Sequence, residues 1–251
     1  MAFTISLAGK VAVVTGGSTG IGRATVIALA EAGADVAFTY HASPEAAEET
    51  LALARRHGTK VQMFRCDVTQ SEQVAALKND VLEQFQRVDI LVNNAGAAIR
   101  RAPFLEGDEA LWEATFQLNV MGVVRCSQAF VPSMLERQYG RIINISSVAP
   151  VTGGKHSVHY AAMKGAVNAL TIGMAKELSP QGITVNAIAP GLIDTPFQVK
   201  TPGHDFAQVS RTNPVRRIGK PEDIAPMVVF LASEHASFIT GEIYAIDGGN
   251  P

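Results

Sequence analysis

The sequence predicts an α/β fold: a doubly wound parallel sheet of the Rossmann type, with helices on both faces, in a single domain over 1–251. Three observations predict it. Short runs rich in β-branched and other apolar residues alternate with longer helical patterns along the whole chain. The first such run, "KVAVVT" at 10–15, is apolar almost throughout, as suits a strand covered on both faces. A glycine-rich turn follows it directly and opens a helix.

The elements follow in order. "IGRATVIALAEAG" is an apolar helix that stops at Gly33, and "DVAFTY" is the second strand. "SPEAAEETLALARRHG" places Ser43 at the N-cap and Pro44 at the first helical position, and ends at Gly58. "KVQMFRCDV" is the third strand, "SEQVAALKNDVLEQFQ" an amphipathic helix, and "VDILVNNAG" a strand running into a turn. A helical region over about 108–137 is expected to bend near Pro132. The strand "GRIINISS", a helix over about 158–178 and the strand "GITVNAIAP" come next. A turn-rich segment at about 191–219 carries Pro196, Pro202 and Pro214, with Pro190 at its edge. A helix introduced by "KPEDIA" and the strand "EIYAID" complete the pattern. Strands separated by helices need crossover connections, hence a parallel sheet. The long irregular segment is read as a lid over a substrate.

Composition narrows the functions. Of 251 residues, 47% are hydrophobic and 18% charged, enough for a sizeable core. A net charge of −2 offers no general attraction for nucleic acid or an anionic membrane. The start "MAFTISLAGK" lacks the pattern of a secretory leader, and no stretch reaches the ~20 apolar residues of a membrane span. Cys66 and Cys126 form neither a disulfide framework nor a metal spacing; they are read as buried thiols in a reducing compartment. The expectation is a soluble cytoplasmic protein with no metal, no nucleic acid and no membrane among its partners.

Two motifs carry chemistry. Thr15 leads into Gly16-Gly17-Ser18-Thr19-Gly20-Ile21-Gly22. Glycines allow a tight turn and let backbone approach a pyrophosphate, and the N–H groups of the next helix favour its charge. Without that context the stretch is a glycine-rich turn; between a strand and a helix it marks Gly16, Ser18, Thr19, Gly20, Ile21 and Gly22 as a dinucleotide site. The second motif is "HYAAMKGAV". Tyr160 and Lys164 stand four apart on a helix and share a face. Alone, such a pair is more often a core tyrosine beside a snorkelling lysine. A phenol titrates near ~10, and a neighbouring ammonium is expected to lower it into the range of an acid/base group.

"TGGSTGIG", "NNAG" at 93–96, "YAAMK" at 160–164, "PG" at 190–191 and "ITGEIYAIDGG" at 239–249 occur in order across essentially the whole chain. In these it resembles the short-chain dehydrogenase/reductase family, in its short, single-domain branch. The resemblance implies an oxidoreductase that moves hydride between a nicotinamide and a carbonyl or secondary alcohol. Its catalytic set would be Asn119, Ser147, Tyr160 and Lys164. Tyr160 exchanges the proton, Lys164 lowers its pKa and holds the nicotinamide ribose, Ser147 positions the oxygen, and Asn119 kinks its helix and holds a relay water. By the same resemblance Asp67 and Val68 flank adenine, Asn94, Ala95 and Gly96 pack the adenosine half, and Pro190, Gly191, Ile193 and Thr195 cover the nicotinamide. Ala149, Gly153 and His156 are expected to line the substrate pocket with the 191–219 segment, while His156 and His159 are read as solvated loop histidines. Family members pair their long helices across two-fold axes, which implies a homotetramer.

The dinucleotide is decided at the end of the second strand. An acidic residue there hydrogen-bonds the NAD ribose and repels the extra phosphate of NADP. Asp35 precedes "VAFT" and belongs to the wrong end of the sheet; the position that matters is Tyr40, followed by His41 and Ser43. None of the three is acidic, and His41 and Ser43 can donate to a phosphate. Thr19 stands where NADP-preferring relatives often carry a cation, and Arg23 compensates only if its side chain turns back. The balance favours NADP, with NAD as the other possibility.

A small-molecule carbonyl or alcohol is the expected substrate. The alternatives are a 3-oxoacyl thioester of the fatty-acid type and, from another class, a non-catalytic dinucleotide sensor, for which the full catalytic set has no use. Carrier-dependent relatives commonly present arginines where this chain has Gln138 and Gln181, with Arg137 as a substitute for one. Arg100-Arg101 and Arg216-Arg217 are two exposed pairs able to meet an anion.

Overall fold

The computed structural model describes residues 4–196 and 206–249. Seven strands among them, β1 (Val11–Val14), β2 (Asp35–Tyr40), β3 (Val61–Arg65), β4 (Ile90–Asn93), β5 (Gly140–Ile145), β6 (Ile183–Pro190) and β7 (Ile243–Ile246), make one sheet in the order β3-β2-β1-β4-β5-β6-β7. Every neighbouring pair is parallel. The order reverses between β1 and β4, and that switch point is where a crevice opens beyond the carboxyl ends of the strands.

The helices are α1 (Gly20–Glu31), α2 (Pro44–Arg55), α3 (Ser71–Phe85), α4 (Glu109–Phe116), α5 (Gly122–Glu136), α6 (Ala149–Thr152), α7 (Val158–Leu178), α8 (Phe206–Thr212) and α9 (Pro221–Ala232). They build a core on each face of the sheet, and the two-residue strand period sorts side chains between them. Ala12 and Val14 of β1 face a cluster with Val26 and Leu29 of α1 and Val228 and Leu231 of α9. Val11 and Val13 face the other, with Val81 of α3 and Phe130 and Met134 of α5. That is why β1 reads as an unbroken apolar run.

The structure departs from the sequence reading at four places. The long helical region is interrupted at Gln117–Met121, a π-helical turn in which the N–H of Gly122 bonds Gln117 O, not at Pro132, which lies inside α5. Proline removes one donor there, and the carbonyl it leaves, four residues back on Gln128, lies on an exposed residue. Ser43 does occupy the N-cap of α2, but its side chain makes no capping hydrogen bond. The connection after β5 contains α6, which no periodicity announced. The 191–219 segment is not irregular throughout, since it holds α8 and an Ile193–Gly219 bridge; its residues 197–205, with Pro202, lie outside the described part.

Candidate active site

A cleft of about 850 Å³ runs along the carboxyl ends of the strands. Its wall brings together Gly16, Ser18, Thr19, Gly20, Ile21 and Gly22. It adds His41 and Ser43, then Asn94, Ala95 and Gly96, then Ser147, Tyr160 and Lys164, and finally Pro190, Gly191, Ile193 and Thr195. A second depression, on α4 and α7 around Trp112 and Met163, contains none of these.

The glycine turn is held from behind by residues the motif did not single out. Thr39, in β2, accepts Gly16 N on its hydroxyl at 3.0 Å and Gly17 N on its carbonyl at 2.8 Å. The Thr15 hydroxyl accepts the N–H groups of both Asn94 and Ala95, at 2.9 and 3.0 Å. Asn94 returns its amide to the carbonyls of Thr15 and Gly16, at 2.9 and 3.0 Å. The turns after β1 and β4 are therefore one welded unit. Gly22 is required by contact: a Cβ there would lie 2.1 Å from Gly16 O. The first turn of α1 has no acidic residue and Thr19 makes no side-chain cap, so its leading N–H groups remain for an anion.

Arg23 does turn back, but it is spent on structure. Its guanidinium bonds Ser18 O, the Thr50 hydroxyl, Ala46 O and the Glu49 carboxylate, at 3.0–3.1 Å. It clamps α1 to α2 beneath the turn and does not supply the cation that Thr19 lacks.

Asn119 ties the β4 turn to the π-helical interruption. Its amide donates to Ala97 O at 2.8 Å and to Thr115 O at 2.9 Å, and its oxygen accepts Ala97 N at 3.2 Å. An intrahelical carbonyl is thus bonded by a side chain where the regular ladder lapses. A Cβ on Gly96 would meet Asn119 Oδ1 at 2.8 Å and Lys164 Nζ at 3.1 Å, so glycine is what lets this turn lie against both. His159 corrects the sequence reading. It is buried in α7, its Nε2 lies 2.9 Å from Ala98 O, and its ring meets Trp112 edge-on at 6.2 Å.

Tyr160 and Lys164 share one face of α7, and Ser147, two residues past β5, hydrogen-bonds the phenol. The Ser147 oxygen also accepts Ala149 N at 3.1 Å, which fixes it in the turn opening α6. Ser146 points elsewhere, bonding Lys164 O and Asn168 Oδ1 at 3.2 and 2.6 Å. Lys164 is buried, and its Nζ donates to Ile145 O at 2.7 Å. Burial lowers the amine to about 8. Burial also pushes the Tyr160 phenol up to about 12, against the pull of the Ser147 hydrogen bond. The Lys164 ammonium stands 5.7 Å from the centre of the Tyr160 ring, and in this ligand-free state burial raises the phenol, against the Ser147 hydrogen bond.

Other predicted residues lie off the wall. Tyr40 ends β2 and packs partly on the α1-side core. Val68 is buried against Gly122, and Asp67 faces His41 at 3.7 Å while holding the turn through Thr69. Asp35 accepts Lys60 N at the first residue of β2, at the far end from the cleft. Of the predicted substrate pocket, Ala149 and His156 line the wall, whereas Gly153 gives way to Thr152 and Gly154. Thr195 packs on Gly20, bringing the segment after β6 against α1. Arg100 is paired with Asp108, Arg217 with Asp223, and Arg216 with Arg211 O; Arg101 alone of the four lines the cleft. Among the described residues no group of three or more His, Cys, Asp or Glu is placed to hold a metal ion.

The chain is similar to known proteins over nearly its whole length. A family model described as enoyl-(acyl carrier protein) reductase matches residues 16–250. The 3-oxoacyl-[acyl-carrier-protein] reductase FabG of Thermotoga maritima is 37% identical over 97% of this chain and 98% of its own. Cis-4-hydroxycyclohexanecarboxylate dehydrogenase of Sinomonas cyclohexanicum is 38% identical, covering 97% of each. A solved 7α-hydroxysteroid dehydrogenase, complexed with NADH and 7-oxo glycochenodeoxycholic acid, superposes with a TM-score of 0.93 at 33% identity, over 100% of this chain and 98% of that one.

Replacing Gly22 by alanine must displace Gly16 O and with it the welded pair of turns. The expected result is a folded protein, by circular dichroism, whose dinucleotide affinity in fluorescence titration falls about tenfold or more. Unchanged affinity would show that the turn is not the binding element.

Proposed function

The chain belongs to the short-chain dehydrogenase/reductase family, and from that premise we propose that Tyr160 is its proton donor, with Ser147, Lys164 and Asn119 completing the site. It is an oxidoreductase acting between a carbonyl and a secondary alcohol with a nicotinamide cofactor. The observation that carries the assignment is the Ser147–Tyr160 hydrogen bond, on the same face as a buried Lys164, at the inner end of the glycine-turn cleft.

The residues present fit a dinucleotide. Gly22 leaves the turn free of a Cβ, α1 presents uncapped N–H groups, and Gly96 leaves room beside Lys164. When bound, the nicotinamide supplies or accepts the hydride. Gly16, Ser18, Thr19, Gly20, Ile21 and Gly22 would hold its pyrophosphate. Asn94, Ala95 and Gly96, with Asp67 and Val68, would hold the adenosine half, and Pro190, Gly191, Ile193 and Thr195 the other end. At the close of β2, Tyr40, His41 and Ser43 bring no carboxylate, and the uncapped Ser43 hydroxyl at the start of α2 is left to meet a phosphate. This supports NADP as the preferred form, with NAD accepted.

In reduction, Ser147 donates to the carbonyl oxygen and fixes it beside Tyr160. The phenol, held protonated by burial, gives up its proton as the oxygen gains charge. Lys164, as the ammonium, steadies the phenolate left behind and restores a proton along the side reached through Asn119. A 3-oxoacyl thioester, the substrate class in the name of the Thermotoga relative, is the carbonyl compound to assay first.

We read the protein as a cytoplasmic homotetramer. No described helix is long and apolar enough to cross a membrane, and both thiols are buried and free. Ile172 on α7 is 40% exposed and Phe238, ahead of the edge strand β7, is fully exposed, which supports two apolar contact faces. Light scattering at micromolar concentration should report four chains, and a monomer would refute this.

Tyr160→Phe should lose turnover by about a thousandfold or more while the fold and dinucleotide affinity persist. Near-normal rates would remove Tyr160 from the reaction. The pH profile of reduction follows from the two titrations. Tyr160 stays protonated up to about 12, so the phenol does not limit the rate, while Lys164 loses its proton near about 8. Reduction is therefore level below that value and falls above it, and Lys164→Arg, which keeps its charge, moves the limb upward. A wild-type profile flat to pH 10 would contradict this.

NADPH should bind more tightly than NADH, and Tyr40→Asp should reverse the preference by placing a carboxylate beside the 2′-phosphate. Tighter NADH binding by the wild type would overturn the reading.

A further inference from the structure

We infer that Arg125, on α5, is a positioning residue: it holds the π-helical turn at Gln117–Met121 in the register that places Asn119. The inference rests on the reading of Asn119 as part of the site, through which Lys164 recovers its proton. It adds a residue to which neither the glycine motif nor the tyrosine motif points.

The turn begins at Gln117, whose side chain is held at both of its polar atoms. The amide nitrogen donates to Glu113 Oε1 at 2.8 Å, one turn back on α4. The amide oxygen accepts Arg125 Nη2 at 2.6 Å, from α5. A carboxylate only accepts and a guanidinium only donates, so the partners set the orientation of the amide. Arg125 Nη1 also reaches the Gln117 carbonyl, at 3.5 Å, the oxygen that accepts Gly122 N to close the π turn. Arg125 Nε donates to the Ser71 hydroxyl at 3.2 Å, on the first residue of α3. One guanidinium thus ties the start of the turn to a neighbouring element.

The contact depends on the turn. Residues eight apart on a regular helix, as Gln117 and Arg125 are in sequence, stand about 80° apart around its axis. A π turn takes in one residue more than an α turn, so across it the two stand like residues seven apart, within about 20° of one line. A return to the regular ladder swings Gln117 off Arg125. It rotates Asn119 as well, whose buried side chain now spans Ala97 O, Ala97 N and Thr115 O. The other end of the turn is also fixed, because a Cβ on Gly122 would lie 2.9 Å from Val68 Cγ2. Val68 and Ser71 both belong to the segment that follows β3, so one segment braces the turn at Gly122 and at Arg125.

Hydrogen exchange and turnover test the inference separately, both on the full chain. In Arg125→Met, which keeps much of the side chain and removes its donors, amide exchange over 113–124, read by mass spectrometry, should quicken about tenfold while the sheet strands stay protected. With NADPH and acetoacetyl-coenzyme A, a 3-oxoacyl thioester, kcat should fall about tenfold and KM stay within about twofold. Gln117→Met, which removes the acceptor and leaves Arg125 in place, should reproduce both effects. Arg125→Lys, which keeps a donor for Gln117 but cannot hold Ser71 at the same time, should restore part of the rate. In an Asn119→Ala background, Arg125→Met should cost less than about twofold, because the residue it positions is gone. Unchanged exchange over 113–124, or a loss of kcat just as large without Asn119, overturns the inference. Quickened exchange in Arg125→Met beside a fully active Asn119→Ala enzyme keeps the clamp and removes the reading of Asn119; unchanged exchange beside a crippled Asn119→Ala enzyme does the reverse.

Discussion

The hydrogen bond from Lys164 Nζ to Ile145 O, at 2.7 Å, is the constraint on which the site depends. An amine withdrawn from water has to find an acceptor, and here it is the last carbonyl of β5. The bond pins the second turn of α7 over the end of the central sheet. Ser147 follows Ile145 by two residues and Tyr160 precedes Lys164 by four, so one contact brings the hydroxyl and the phenol together. Ser146 reinforces it from the next residue by bonding Lys164 O and Asn168. Removing Lys164 therefore loosens geometry as well as charge, and the two effects have to be separated by a variant that keeps the charge.

The glycine-turn half of the cleft is coupled to this contact through hydrogen bonds. Thr15 and Asn94 join the turns after β1 and β4, on the two strands that flank the switch point. The β4 turn then lies on Asn119, and Gly96 sets it beside Lys164. Hence a glycine turn and a tyrosine far apart in sequence act within one rigid frame, and the frame is made of polar groups that satisfy one another.

Much of this was legible in the sequence, because strand and helix periods are local. The double-sided burial of β1, the glycine turn, the span of α7 and the shared face of Tyr160 and Lys164 all follow from spacing. What stayed hidden depends on contacts between distant segments. Local chemistry put the break in the long helix at Pro132; it falls at Gln117–Met121, around the Asn119 that the family resemblance marks as a kink, where the bond to Ala97 spans 22 residues. His159 looked solvated because its partners, Ala98 and Trp112, come from other elements. Whether Arg23 turns back could not be read from its spacing; it does, onto Ala46 O and Glu49 of α2. Thr15 and Thr39, which hold the turn, carry no spacing signature of their own.

The titration of Tyr160 shows where sequence reasoning misjudged a balance. A lysine four residues away suggests a lowered phenol, but loss of water on burial raises it, and the Ser147 hydrogen bond offsets only part of that. In the role proposed for it, Tyr160 enters the reaction as a neutral phenol, its titration raised by burial to about 12. Labelling the tyrosines with carbon-13 at Cζ, and following Tyr160 by magnetic resonance against a Tyr160→Phe spectrum, measures this directly. The Tyr160 signal should remain that of a phenol past pH 10, in keeping with a value of about 12. A phenolate forming near neutral pH in the ligand-free protein would contradict the account.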